Sequence, residues 1–227
     1  MTSNIARILA RLAALAKPTG RCWLCLEASH SPLCATCQGD LPAKGSRCRQ
    51  CGEAGPAQCR ACAQKAPPFD EVHFGVPYGP PLDALIHRFK YQRHWWLDAP
   101  LCQPLLAALA GVDRPDCLVP VPLHWSRRLW RGFNQAHLLA HHLGQALDLE
   151  VNPRLLRRQR ATRQQQGLGR QARQRNLSRA FKLCGPVPAH VALVDDVMTT
   201  GTTAATLARL LKQAGCQKVQ LWCLARA

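Results

Sequence analysis

The sequence predicts an α/β fold, a mostly parallel sheet with helices on both faces, preceded by a small cysteine-rich module. Three observations predict it. From about residue 70 onward, short apolar strand-like runs alternate with stretches of helical spacing. Eight of the thirteen cysteines fall between Cys22 and Cys62, all in CxxC pairs. The stretch "LVDDVMTTGTTAATLARLL" (193–211) is an apolar run that ends in two acids, then a threonine- and glycine-rich turn, then a helical pattern. A chain of 227 residues, 47% hydrophobic, is long enough for one medium domain with a small appendage.

Taken in order, residues 1–21 read as an amphipathic helix packed on the body of the protein, with a membrane-surface role as the alternative. Arg11 interrupts its apolar stretch and no small-residue cleavage site stands out, which argues against a signal peptide. No uncharged apolar run approaches the ~20 residues of a membrane span, so no stable membrane insertion is expected. Residues 22–66 are rich in Cys, Gly and Pro, and "APPFDEV" marks a boundary because paired prolines end regular structure. The third region runs over 70–227. In it "EVHFGVPY" (71–78) predicts a strand, and "PLDALIHRFKY" (81–91) a helix from the spacing of Leu82, Leu85, Ile86 and Phe89. "LCQPLLAALA" (101–110) predicts a helix, "DCLVPVPL" (116–123) a strand, and 127–147 a helix with Gly132 near its start. "RLLRRQR" (154–160) reads as a strand, and 161–176, without usable periodicity, as a loop. "AHVALVDDV" (189–197) predicts a buried strand whose apolar part ends at Val194, 202–215 a helix with Gly215 at its end, and "KVQLWCLA" (218–225) a closing strand. No internal repeat is evident beyond the CxxC pairs.

The cysteine spacing is Cys22-x2-Cys25-x8-Cys34-x2-Cys37, then Cys48-x2-Cys51-x7-Cys59-x2-Cys62. A CxxC turn presents two sulfurs to one ion, and two such turns complete a tetrahedral thiolate site that suits zinc. Four pairs therefore predict two zinc sites, with no open position for water and so structural. Sequential pairing is favoured because each half closes locally; crossed pairing stays open, as does substitution of one ligand by His30. Thiolate metal sites imply a reducing compartment, hence a cytoplasmic location. Cys102, Cys117, Cys184, Cys216 and Cys223 are isolated and read as small hydrophobes.

A formal charge of +17 points to phosphate-bearing partners. Between Val151 and Lys182 lie nine arginines and one lysine with no acid. In an open parallel sheet, ligands bind at the carboxyl ends of the strands, where Asp195 and Asp196 emerge. The N–H groups of Thr199, Thr200, Gly201, Thr202 and Thr203, with the dipole of the helix they open, form an anion cradle. The loop contains no lysine and the GxxxxGK[ST] spacing is absent, which excludes an ordinary nucleotide-triphosphate loop. Acids beside a phosphate site must meet sugar hydroxyls or magnesium, so the pattern describes a ribose 5-phosphate. The GxGxxA-like "GLGRQA" (167–172) follows no apolar strand and is set aside as a dinucleotide fingerprint.

The stretch "VALVDDVMTTGTT" closely resembles the signature of the type I phosphoribosyltransferases. The segments "PVPLHWSRRLWRGFNQ" (120–135) and "RQQQGLGRQARQRN" (163–176), with the double zinc ribbon, are similar to the ComF (competence protein F, GntX-like) branch of that family. The resemblance implies a type I phosphoribosyltransferase fold, with Asp195 and Asp196 holding the ribose of phosphoribosyl pyrophosphate (PRPP) and Thr199 to Thr203 its 5-phosphate. It implies that Arg127, Arg128 and Arg131 meet the pyrophosphate, with magnesium accompanying PRPP. A hood over 161–176 would close on the ligand, with Arg163, Arg170, Arg173 and Arg175 available and Arg163 taken as catalytic alongside the two acids. Two classes of function follow from the resemblance. One is an enzyme transferring phosphoribosyl to an unidentified acceptor. The other is a binding protein that keeps the PRPP fold for DNA uptake, natural transformation or use of imported DNA, with single-stranded DNA and a competence helicase or other DNA-processing protein as partners.

Overall fold

The computed structural model describes residues 20–31, 33–92, 94–123, 132–159 and 180–227. The helix expected over 1–21 falls outside them except for its last two residues, Gly20–Arg21, which form a strand (β1). The arginines at 127, 128, 131, 163, 170, 173 and 175 also lie outside the described residues.

β1 pairs antiparallel with β2 (Ala28–Ser29), and two short helices follow, α1 (Ala35–Gly39) and α2 (Arg60–Gln64). The remaining elements are β3 (Glu71–Pro77), α3 (Leu82–Tyr91), a 3-10 turn (Trp95–Leu97), α4 (Asp98–Ala108), β4 (Cys117–Pro120), α5 (Gln135–Leu147), β5 (Glu150–Val151), β6 (Leu156–Arg158), β7 (Phe181–Leu183), β8 (His190–Met198), α6 (Thr202–Gln213) and β9 (Lys218–Arg226). Five strands form a parallel sheet in the order β3-β9-β8-β4-β5, while β6 and β7 make a separate antiparallel pair.

The strands alternate cleanly between two faces, as a sheet covered on both sides must. Ala192 and Val194 of β8 point to the face covered by α3, α4 and α5, where they meet Phe89, Leu105 and Leu143. Val191 and Leu193 point to the other face, covered by α6 and the β6–β7 pair, where they meet Leu207, Leu211 and Phe181. Full burial of a leucine such as Leu207 or Leu211 stabilises the fold by about 1.5–3 kcal/mol.

One expectation needs correction. Of the helix expected over 127–147, residues 127–131 lie outside the described residues and the helix is formed from Gln135: Gly132 has φ +84°, and the Asn134 side chain caps the helix by accepting from Ala136 N at 3.2 Å. The strand carrying the two acids lies within one residue of the expected 189–197 at each end and reaches Met198, because β9 continues to pair with it through Met198↔Arg226.

The cysteine module sits on the outer edge of β3. Val72 N donates to Arg49 O at 2.9 Å, and Arg226 Nε donates to Cys51 O at 3.0 Å. Lys44 and Arg47 lie over the Phe74 ring. An edge strand with unpaired amides invites association with another chain, and the module covers it. The module is also a repeat that the spacing alone did not reveal. Cys22 N donates to Glu27 O and Leu26 N to Cys22 O, just as Cys48 N donates to Glu53 O and Gly52 N to Cys48 O, twenty-six positions later. Leu26 and Gly52 share the left-handed conformation, at φ 65° and 70°.

Candidate functional site

The sheet order places a switch point between β4 and β8. From β4 the chain crosses through α5 to β5 on one side; from β8 it crosses through α6 to β9 on the other. A crevice opens outside the carboxyl ends of two such strands, and ligands of open α/β sheets bind there. β4 stops pairing at Pro120↔Val194, and Val121 N closes the ladder on Val194 O at 2.8 Å. Beyond that point no described residue pairs with β8 on the β4 side, and Asp195 and Asp196 follow there.

Strand alternation separates the two acids. Asp196 follows Val194 to the α3 side, where its Oδ2 lies 3.2 Å from Nζ of Lys90 in the last turn of α3. Asp195 follows Leu193 to the α6 side. Burial, and next the charge of Asp196, push its carboxyl up to about 7 despite the counter-charge of Lys90. Asp195 Oδ1 accepts from Asp196 N at 2.9 Å, and Asp196 Oδ1 from Val197 N at 2.6 Å. These bonds use one oxygen of each carboxylate.

The turn after β8 forms the second half. Gly201 caps α6 in the left-handed region at φ +67°, so the first-turn N–H groups of α6 face the recess. Thr200 and Thr202 hydroxyls are 2.8 Å apart. Two adjoining hollows result: one of about 260 Å³ whose walls include Lys90, Tyr91, Asn134 and Arg158, and one of about 60 Å³ lined by Thr199 to Thr203. Asp195 and Thr203 line both, so acids and turn share one recess. Negative charge is favoured at the α6 end and hydroxyl donors are favoured at the acids. A Cβ on Gly201 would sit 2.6 Å from Met198 Cε in a conformation alanine rarely adopts. Gly201→Ala is therefore expected to cost about 1–2 kcal/mol, read as a lower Tm in a thermal melt; an unchanged Tm would show that the turn relaxes freely.

The structure brings Asp195, Asp196 and Thr199 to Thr203 together. Sequence reasoning missed Lys90, Tyr91, Asn134 and Arg158. Lys90 and Tyr91 end an amphipathic helix, and nothing in local spacing says that this helix end packs beside β8. Asn134 has a legible role as a cap, but its second bond, Nδ2 to Val121 O at 3.2 Å, ties α5 to the end of β4.

The eight module cysteines form two groups, Cys22, Cys25, Cys34, Cys37 and Cys48, Cys51, Cys59, Cys62, with all sulfurs of a group within 4.8 Å of one another. The pairing is sequential and neither group includes His30. The Cys25 and Cys34 sulfurs are 3.8 Å apart and those of Cys51 and Cys59 3.6 Å. Four ligands at the zinc–sulfur distance of ~2.3 Å would stand ~3.8 Å apart, whereas a disulfide needs ~2.05 Å. The residues thus fit a tetrathiolate metal site. Cys22 and Cys48 are pushed down to about 6: burial alone would raise these thiols, but backbone N–H groups of each turn outweigh it by favouring the thiolate.

The parallel sheet, the paired acids at its switch point and the two four-cysteine groups define an open-sheet α/β protein with an N-terminal double cysteine ribbon. No protein-family model matches the sequence. It is 41% identical over 221 residues to the DNA utilization protein YhgH of Salmonella typhimurium, covering 91% of this chain and 97% of that one. It is 35% identical over 223 residues to Competence protein F of Haemophilus influenzae, with the same coverage. The chain belongs to the family of these two proteins. Among solved structures it has a distant likeness to a purine phosphoribosyltransferase from Pyrococcus horikoshii, at 20% identity and a TM-score of 0.36 over 58% of this chain and 74% of that one. No helix among the described residues is long and apolar enough to cross a membrane.

Proposed function

We propose that this protein binds PRPP in the recess at the end of β8 and transfers its phosphoribosyl group to an acceptor, in the service of DNA uptake and use. The observation that carries the reading is the shared recess, in which two carboxylates stand beside a threonine-rich helix start. The ribose hydroxyls donate to Asp195 and Asp196, and the 5-phosphate rests on the N–H and hydroxyl groups of Thr199 to Thr203. The bond between C1 of the ribose and the pyrophosphate oxygen breaks with its electron pair leaving on pyrophosphate. An acceptor nitrogen forms the new bond to C1 and gives up its proton. Arg127, Arg128 and Arg131 fall in the sequence where they would meet the pyrophosphate, and Arg163 belongs to a segment that would close over the ligand. Asp195 and Asp196 are the residues that would hold a magnesium ion accompanying PRPP, which would supply neutralisation of the leaving charge.

The ribbon is read as a structural zinc module over 22–66 and the remainder, 70–227, as the PRPP domain, both in the reducing cytoplasm. The DNA half of the reading rests on the names of the relatives and on the acid-free arginine run, with single-stranded DNA and a helicase or other DNA-processing protein as partners. A protein that keeps the PRPP fold only to bind DNA is the second reading, and the same arginine run favours it.

PRPP with magnesium is expected to raise the Tm, by about 2.7 kcal/mol of added stability at a hundredfold excess over Kd. Asp195→Asn combined with Asp196→Asn is expected to abolish that rise and leave DNA binding intact. DNA affinity itself should fall linearly on a log–log plot against salt. A wild-type Tm unmoved by PRPP would remove the enzyme reading; loss of both ligands in the double variant would show that they share one site.

A further inference from the structure

The core of this protein accepts large aromatic rings: Phe89 and Trp222 are almost fully buried. Two neighbouring tryptophans are nevertheless left outside. Trp95 is 59% exposed and Trp96 40%, and Tyr91, at the end of α3, is 47% exposed. The 3-10 turn that carries the tryptophans is anchored by Leu97, which is fully buried, so the two rings are turned outward while the backbone is held. Exposed aromatic clusters on a folded domain mark contact surfaces.

The rings are also organised. His94 stacks on Trp96 at 4.7 Å between centroids and 24° between planes, and Trp95 meets Trp96 edge-on at 5.7 Å. Trp23, from the first cysteine turn, lies 6.4 Å from Trp96 and supports it from the module side. The segment that carries them, "HRFKYQRHWW" (87–96), interleaves two arginines, one lysine and two histidines with four aromatics and contains no acid. Arg88, in the last turn of α3, is exposed.

We propose that Tyr91, His94, Trp95 and Trp96 form a stacking surface for the unpaired bases of single-stranded nucleic acid, running from the cysteine ribbon to the acid-lined recess. Each base has a π-face that stacks on an aromatic side chain whatever its sequence, and the exposed Arg88 offers a cation to the phosphates between bases. A duplex keeps its bases stacked on one another and cannot use such rings. An uncharged protein partner would cover the tryptophans but leave the exposed Arg88 beside them unmatched. Tyr91 lines the recess with Asp195 and Asp196, so a strand on this surface would pass beside the proposed PRPP site. The inference deepens the DNA half of the reading above and does not depend on the transfer chemistry.

The test uses the full-length, zinc-loaded protein with oligo(dT) and a duplex of equal length. Single strands are expected to bind more tightly than duplex and to protect Trp95 and Trp96 of the wild type from hydroxyl-radical oxidation. Trp95→Ala with Trp96→Ala is expected to weaken oligo(dT) binding by at least about tenfold. Trp95→Phe with Trp96→Phe, which keeps two stacking faces, is expected to restore most of it. Equal binding of duplex and single strand without protection of the two rings would overturn the proposal. So would rings already protected in the free protein, which would mean that residues 1–19 or a second copy cover them, or rings protected by lipid vesicles and not by oligo(dT). The PRPP thermal shift, measured on the same samples, reports on the recess alone: its absence with oligo(dT) binding intact sinks the enzyme reading and spares this one, and the converse pattern does the reverse.

Discussion

Metal analysis of the purified protein is expected to give two zinc ions per chain, and a chelator is expected to make it aggregate rather than melt reversibly. The short strands and helices of the module enclose little apolar volume, and in small modules of this kind metal binding is itself the folding free energy, about 10–16 kcal/mol for a structural zinc site. The damage would not stay local. The second four-cysteine group carries Arg49, whose carbonyl pairs with Val72, and Cys51, whose carbonyl accepts from Arg226. Losing it would bare the edge of β3 and leave amides open to pairing with another chain. Cys48→Ser should therefore lower the Tm and reduce solubility more than Cys25→Ser, because Cys48 is buried beneath these contacts and Cys25 is exposed. One zinc ion per chain, or a Cys48→Ser variant that melts like the wild type, would contradict this account.

The second large effect is expected from Asp195→Asn, and its sign depends on pH. The carboxyl is raised to about 7 from an ordinary 3.8 by burial and by Asp196. Between those values the unfolded chain has released the proton while the folded one still holds it, so stability falls as pH rises from about 4 to about 7 and stays low above. The neutral amide removes that penalty. Asp195→Asn is expected to be more stable than wild type at pH 8, by on the order of 2–4 kcal/mol, and to match it near pH 4. It should also lose the response to PRPP, so the carboxylate would be retained for its ligand at a cost to the fold. A variant less stable than wild type at pH 8 would mean that Lys90 and the strand end depend on the charge more than burial opposes it.

How much was legible in the sequence differs from element to element. β3, α3 and α6 were readable from their periods and β8 and β9 from continuous apolar runs, and Gly201 and Gly215 mark the ends of α6. β5 and β7 were not, since two or three residues hold no period; pairing with β4 and β6 makes them strands. The repeat within the cysteine module was hidden because its two copies share hydrogen bonds more than residues: Leu26 takes in one copy the left-handed position that Gly52 takes in the other. Lys90 and Tyr91 could not be placed at the site from the sequence, because the acids they stand beside lie more than a hundred positions away.

What the sequence determined by itself is the local chemistry: eight thiols in four turns, two acids at a strand end, and a threonine-rich turn before a helix. Residues a few positions apart are held in reach by the backbone alone, so their types and spacing suffice. The tertiary structure decided which thiols group together, that β4 stops pairing before Asp195 and Asp196, that Lys90 faces one acid and burial raises the other, and that two tryptophans remain outside. Those outcomes depend on which distant segments exclude water from which side chains, and only the packed sheet fixes that.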